Sequence, residues 1–316
     1  MQAHQALFYR GSEEYLGGIS AFIAPALERD EPVAIAVPMP KLTLLRTYLG
    51  GQAAQIELLD MCEFGKNPAR IIPAVQAMID RHGARPLHYV GEPIWSGRSP
   101  EEVREATRHE ALINFAWPSG QIRILCPYDF ASLADPVLAD ARHTHPGVVH
   151  DGRLTASEAY SGPTVPAGCE EALPDPPPES QARRFELDDL GQLRAWMSDQ
   201  VRSAGVDEER AREVVTAANE LTTNTVKHAD THGILRFWRT SDELIFQIED
   251  SGHISDPLAG RRPRALGTGG LGLWMVNQLC DLVEVRTSAA GTTIRIHSRF
   301  AQSPGVRFGD GVGLAA

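Results

Sequence analysis

One stretch divides this chain before any motif is sought. Residues 161–182 read SGPTVPAGCEEALPDPPPESQA, with six prolines, four acidic residues and no Lys or Arg. Proline fixes φ and removes a backbone donor, and too little of this stretch is apolar to reward a strand or helix. The three consecutive prolines at 176–178 favour extended polyproline geometry. We therefore expect a semi-rigid spacer that holds two domains apart while letting them reorient. A length of 316 residues suits two cores better than one. The expected division is a domain at 1–155, a linker at 156–182, a domain at 183–300 and a tail at 301–316.

The flanks differ in pattern. Before the linker, apolar strand-like runs at 32–37, 55–59, 87–91 and 122–126 alternate with helix-like segments at 15–27, 68–82 and 100–117. Such alternation predicts an α/β layer fold with a largely parallel sheet. After it, a strand-like ARRFELD leads into helical segments at 190–204 and 207–229, then strands at 234–239 and 244–250. A Gly-rich loop, a helix near 271–279 and a hairpin at 282–287 and 292–297 complete the order. Helices and antiparallel strands in separate clusters predict a two-layer α+β sandwich.

Composition narrows the partners. A formal charge of −11 disfavours general attraction to nucleic acid or an anionic membrane, both of which reward a basic surface. No apolar stretch approaches the roughly 20 residues that cross a bilayer, and MQAHQALFYRGSEE lacks the basic start and apolar run of a secretory signal, so the cytoplasm is expected. The four cysteines form no CxxC pair and are read as reduced thiols.

Three pieces after the linker carry chemistry. In ANELTTNTVKHAD, Glu220, Asn224 and His228 recur every four residues and share one helical stripe. An amide oxygen there suits Mg²⁺, although polar residues at helical spacing, taken alone, are more often a solvated face. Asp250-Ser251-Gly252 ends a strand, where a carboxylate can accept from an exocyclic amine while glycine admits a flat ring; an ordinary turn is the alternative. Gly267-Thr268-Gly269-Gly270-Leu271-Gly272 opens a helix, so its backbone N–H groups can meet phosphate. It lacks the GK[ST] ending of a Walker A loop.

The order of these pieces, followed by GTTIRI, resembles the ATPase superfamily shared by gyrase B and histidine kinases, with its Bergerat fold. Within that superfamily it is most similar to the anti-sigma-factor serine/threonine kinases. ANELTTNTVKHA matches the family's N box, DSG its first glycine box and GTGGLGL its second. The resemblance implies that Asn224 ligates Mg²⁺, Asp250 binds the adenine of ATP, the glycines shape a lid over the phosphates and Thr293 assists at the base. It also implies that Glu220 is the general base for an incoming hydroxyl. One departure is Ile254, which stands where the first glycine box carries its second glycine. Between them, Arg261, Arg262 and Arg264 are read two ways, as cations facing a triphosphate or as a solvated loop.

No histidine lies between His150 and His228, so the phosphoacceptor helix of a histidine autokinase is missing ahead of the ATPase segment. The resemblance instead implies phosphorylation of a serine or threonine on an anti-sigma antagonist, with a sigma factor as second partner. A nucleotide-gated binding module without phosphotransfer, and a histidine-kinase-like sensor, are the alternatives. A homodimer is compatible with either.

Residues from His4 to about Gly152 resemble the sensory domain named for methanogens and methylotrophs (MEDS), which has RecA-like kinship. HQALFYRGSEEYL, ALERDEPVAIAVP, HYVGEPIW, HEALINFAW, CPYDF and THPGVV carry the likeness. Glu92, Trp95, Glu110, Asn114 and Tyr128 sit where open α/β sheets bind ligands, so a small-molecule pocket is expected among them. His4, His88, His109 and His145 are candidates to gather with Cys126 around a ligand or metal, or else to be satisfied histidines of the core.

Overall fold

A computed structural model describes residues 3–117, 121–228, 232–262 and 271–300. The first half is built on a seven-stranded sheet of order β3-β2-β4-β5-β1-β6-β7. In chain order these strands are β1 (His4–Tyr9), β2 (Val33–Val37), β3 (Ile56–Asp60), β4 (Leu87–Gly91), β5 (Ile122–Asp129), β6 (Gly147–His150) and β7 (Arg153–Ala156). All neighbours pair in parallel except β6 and β7. A parallel sheet needs cover on both faces, and the fully buried strands VAIAV and LHYVG show it. Helices α1 (Gly11–Glu28) and α2 (Met39–Leu49) cover one face, while α3 (Met61–Phe64), α4 (Ile71–His82), α5 (Pro100–Ala116) and α6 (Asp135–Thr144) accompany the other.

Helix α5 begins at a capping box. Ser99 Oγ accepts from the Glu102 amide at 3.3 Å and Glu102 Oε2 accepts from the Ser99 amide at 2.9 Å, with Pro100 preset at the first helical position.

The second half holds a five-stranded antiparallel sheet of order β11-β12-β10-β9-β8. Its strands are β8 (Gln181–Phe185), β9 (Gly233–Arg239), β10 (Glu243–Asp250), β11 (Leu282–Ser288) and β12 (Gly291–Arg299). Helices α7 (Leu190–Ser203), α8 (Glu208–His228) and α9 (Leu271–Leu279) pack on one face through Met197, Val214, Leu221 and Val276, against Phe185, Phe237, Phe246 and Ile296. Alternation sends Glu284, Arg286, Arg295 and His297 to the opposite face, yet all four are buried.

The reason is the linker, which corrects the expected spacer. It lies against both halves: Val165 packs with Ile72, Leu112, Ala116 and Leu258, and Cys169 is buried. With few side chains to bury and no strand to join, its carbonyls instead accept from arginines. Arg286 Nε reaches Glu171 O at 3.0 Å and Arg295 Nη2 reaches Pro174 O at 2.6 Å, while Arg108 pairs with Glu170 at 2.7 Å. No helix among the described residues is long and apolar enough to cross a membrane.

Candidate functional site

A cleft of about 740 Å³ opens between α8, the end of β10, the segment 252–262, the start of α9 and β12. Asn224, Asp250, Gly252 and Gly272, all expected from the sequence, line it. Asp250 is held from two sides: Thr225 Oγ1 donates to Oδ2 at 2.7 Å and the Gly252 amide donates to Oδ1 at 2.8 Å. Its carboxylate is thus oriented before any ligand arrives. Thr225 is one residue beyond Asn224 and was missed, because a helical threonine has no sequence signal for gripping a strand 25 positions away.

Glu220 lies one turn before Asn224 on α8. A Cβ added to Gly272 would collide with Glu220 Oε1 and meet Asn224 Nδ2 at 2.7 Å, so the start of α9 lies directly against that carboxylate and amide, which a side chain there would displace. Gly291, at φ +134°, lies so close to the Asp250 carbonyl that a side chain would strike the strand end. Thr292, not Thr293, lines the cleft, and its Oγ1 donates to Gly252 O at 2.8 Å. Thr292 and Ile294 share that face, so alternation places Thr293 on the other. Ile254 sits at an ordinary negative φ, since among the described residues only Asp30 and Asp151 are non-glycines with positive φ. Gly267, Thr268, Gly269, Gly270 and Arg264 lie outside the described residues, as does the side chain of His228; Leu271 opens α9.

The two arginines described between these motifs are both engaged by the first half, Arg261 buried and Arg262 exposed. Arg261 is 6% exposed, with Nη2 3.4 Å from Glu105 Oε2 on α5. Burial lowers its pKa to about 10. Arg262 lines the cleft but donates to the carbonyls of Ala116 and Phe115, capping the C-terminus of α5. The first half also caps α9. Arg70 donates to Asn277 O and Cys280 O, each at 2.7 Å, Asn67 Nδ2 reaches Asn277 O at 3.1 Å, and Lys66 pairs with Asp281 at 2.6 Å. The segment 252–262 and the far end of α9, the helix whose start borders the cleft, are therefore gripped by the other half of the chain.

The first-half candidates divide among three places. Glu92 is fully buried and takes hydrogen bonds from Tyr9 and Tyr15 at 3.2 and 3.3 Å and from Lys41; burial raises its pKa to about 7 against the pull of that ammonium. Trp95 carries the Arg98 guanidinium 4.2 Å from its ring, and Tyr128 is buried edge-on to His145. These residues form no common pocket. His88 faces α1 and bonds Glu31 at 2.8 Å, and His109 is buried elsewhere, so neither joins the expected cluster. His4, Cys126 and His145 do gather, and the fourth member is Glu110. Alternation puts His4 of β1 and Cys126 of β5 on the face covered by α5, which supplies Glu110, while His145 follows α6.

Residues 3–146 match the family model described as the MEthanogen/methylotroph, DcmR Sensory domain (MEDS). Residues 184–297 match that of the histidine kinase-like ATPase domain. The chain joins a MEDS-type sensory domain to a histidine kinase-like ATPase domain. No curated protein is matched by this chain. Among solved structures it is similar to the RsbU and RsbW domains of a Mycobacterium tuberculosis protein, at 16% identity and a TM-score of 0.30 over 39% of this chain and 33% of that one. It is also similar to a blue-light activated histidine kinase of Erythrobacter litoralis, at 22% identity and a TM-score of 0.26 over 35% of this chain and 42% of that one. The chain thus spans under half the length of either neighbour.

The 740 Å³ cleft belongs to the ATPase domain and has the size of a small-molecule site. The sensory domain has a cleft of its own, about 590 Å³, between α1 and the sheet face formed by β4, β5, β1 and β6. Leu7, Gly18, Phe22, Leu125 and Val149 line it, and none of the five residues expected to form a ligand pocket does.

Proposed function

We propose that this chain binds ATP with Mg²⁺ in the ATPase-domain cleft, in a Bergerat-type arrangement, and phosphorylates a serine or threonine of an anti-sigma antagonist under control of the sensory domain. The observation that carries the reading is that Asn224 and Asp250 line one cleft, with the Glu220 carboxylate beside its Gly272 wall and Gly291 fitted where a side chain would strike the strand end. Asp250, fixed by Thr225 and Gly252, accepts from the adenine amine. Asn224 offers an amide oxygen to Mg²⁺, which prefers such hard ligands. Glu220 takes the proton of the attacking hydroxyl at its carboxylate. ATP supplies the phosphoryl group. A sigma factor is the second partner, released or held as the antagonist changes state, and a small apolar molecule in the 590 Å³ cleft is the sensory ligand.

The grip of α5 on Arg261 and Arg262 supports the coupling, because the segment that edges the nucleotide cleft is held by the sensory domain. The same grip favours a second reading, a nucleotide-gated binding module without transfer, since Arg261, held at Glu105, is buried and does not line the cleft. Incubation of the full chain with Mg-ATP and candidate antagonists distinguishes them. Phosphoserine that depends on Glu220, lost in Glu220→Ala while nucleotide still binds, supports the kinase. Nucleotide binding with no transfer supports the module, and no nucleotide binding by folded protein overturns both.

A further inference from the structure

His4 Nε2, Glu110 Oε2, Cys126 Sγ and one ring nitrogen of His145 all lie within 4.8 Å of one another beneath α5. The four residues are 3%, 1%, 1% and 0% exposed. Glu110 Oε2 is 3.1 Å from His4 Nε2, 3.3 Å from His145 Nε2 and 3.2 Å from Cys126 Sγ, which is itself 3.5 Å from His4 Nε2. Ligands at 2.0–2.3 Å from a tetrahedral ion are separated by about 3.3–3.7 Å. The cluster already has nearly those edges.

The outer hydrogen bonds fix what the inner atoms are. His145 Nδ1 lies 2.7 Å from the Ala141 carbonyl, which can only accept, so Nδ1 carries the proton. The Asn114 amide nitrogen faces the Thr144 and Ala111 carbonyls at 2.8 and 3.3 Å, which turns its oxygen toward His4 Nδ1 at 3.2 Å. His4 Nδ1 is therefore a donor as well. In neutral rings both Nε2 atoms then present lone pairs to a carboxylate that also only accepts. His145 Nε2 and Glu110 Oε1 are buried with no hydrogen-bond partner among the described residues. Such a set repels itself unless a cation sits within it. Two buried imidazolium ions would serve only by adding charge in a dry site. One divalent ion held by a thiolate, a carboxylate and two neutral imidazoles leaves the site with no net charge.

We propose that His4, Glu110, Cys126 and His145 bind one divalent transition ion of the zinc class, with Asn114 and the Ala141 carbonyl positioning the two imidazoles. The donor set, N₂OS with two imidazoles and one thiolate, suits zinc and its neighbours and excludes magnesium and calcium. The Cys126 thiol loses its proton to solvent as the sulfur–metal bond forms. Four protein ligands and full burial leave no open position, so the ion ties β1, β5, α5 and α6 together at a point.

Elemental analysis of the full chain, purified without chelating resin and then titrated with Zn²⁺, tests the assignment. About one equivalent per chain is expected, and Co²⁺ in its place gives a thiolate charge-transfer band that Cys126→Ser removes. Asn114→Ala, which keeps all four ligands, weakens Zn²⁺ binding by about 10- to 100-fold. His88→Ala, on the other face of the sheet, leaves it unchanged. Folded wild-type protein that takes up less than a tenth of an equivalent of supplied Zn²⁺ or Co²⁺ overturns the proposal. So does metal retained equally by folded Cys126→Ser and His145→Ala variants. If those two do not fold, the cobalt band of the wild type and the Asn114→Ala shift decide, and absence of both refutes the site.

Discussion

Replacing Glu105 by leucine probes the joint between the domains. Glu105 is 1% exposed and accepts from Arg286 Nη1 at 2.7 Å, with Arg261 Nη2 at 3.4 Å on its other oxygen. Arg286 would keep the carbonyls of Glu171 and Val285 and the more distant Glu284. The Arg261 side chain would keep no hydrogen bond among the described residues. Removing one partner of a buried ion pair costs about 3–5 kcal/mol, chiefly because the opposite charge stays buried alone. Spent on docking, that favours the undocked state by about two to nearly four powers of ten. A two-domain chain need not unfold in one step, so the readout should be local: proteolysis within 157–180 and hydrogen exchange of α5 and β11. Both should rise sharply in Glu105→Leu. Adding Arg261→Met should restore much of the protection, since it removes the buried charge that the first substitution leaves without a partner. Cleavage and exchange unchanged in the single variant, or a double variant as exposed as the two singles combined, would refute the reasoning.

Thr225→Val removes the 2.7 Å hydrogen bond to Asp250 and leaves the cleft otherwise intact, so nucleotide affinity measured by calorimetry should fall by about 10-fold, the worth of one bond to a charged acceptor. His297 bonds Glu243 and Glu284, each at 3.1 Å; burial alone would lower its pKa, but the two carboxylates raise it from 6.5 to about 9. The stability this gives is fully present below pH 6.5 and is lost as pH rises through 9. At about 1.4 kcal/mol per unit it amounts to roughly 3 kcal/mol, so urea midpoints followed by a probe in the ATPase domain should fall across that window and stay flatter in His297→Gln.

What the sequence showed and hid follows from the range of each interaction. Apolar runs marked β2 and β4 because a strand buried on both faces leaves a continuous signal, whereas HQALFY mixes polar and apolar residues and β1 escaped notice. The spacing of Glu220 and Asn224 is local to one helix and was legible. Thr225 reaches from α8 to β10, a contact no local pattern marks, and Thr292 sits on a strand, where a one-residue shift changes the face, so Thr293 was expected in its place. Glu284, Arg286 and Arg295 share one sheet face, and alternation cannot say what covers it; the cover is the linker and α5. The histidine cluster was half seen for the same reason. His4, Cys126 and His145 were candidates by residue type, but Glu110 belongs with them only because α5 crosses β1 and β5.

That helix joins the two chemistries. Glu105 and Glu110 are five residues apart, about 7.5 Å along the axis and on different sides of α5. Glu110 and Asn114 face the histidine cluster, while Glu105, Glu102 and the last carbonyls of the helix hold Arg286, Arg299, Arg261 and Arg262 of the ATPase domain. A packed helix moves as a body, so whatever shifts the cluster also shifts the grip on the edge of the nucleotide cleft. Arg261 is buried against Glu105 and does not line the cleft, so it would have to leave that carboxylate to reach a ligand there. Docking and any phosphate contact by Arg261 therefore compete, and linkage is reciprocal: to the extent that nucleotide draws Arg261 away, it loosens α5 by the same factor that undocking improves nucleotide binding.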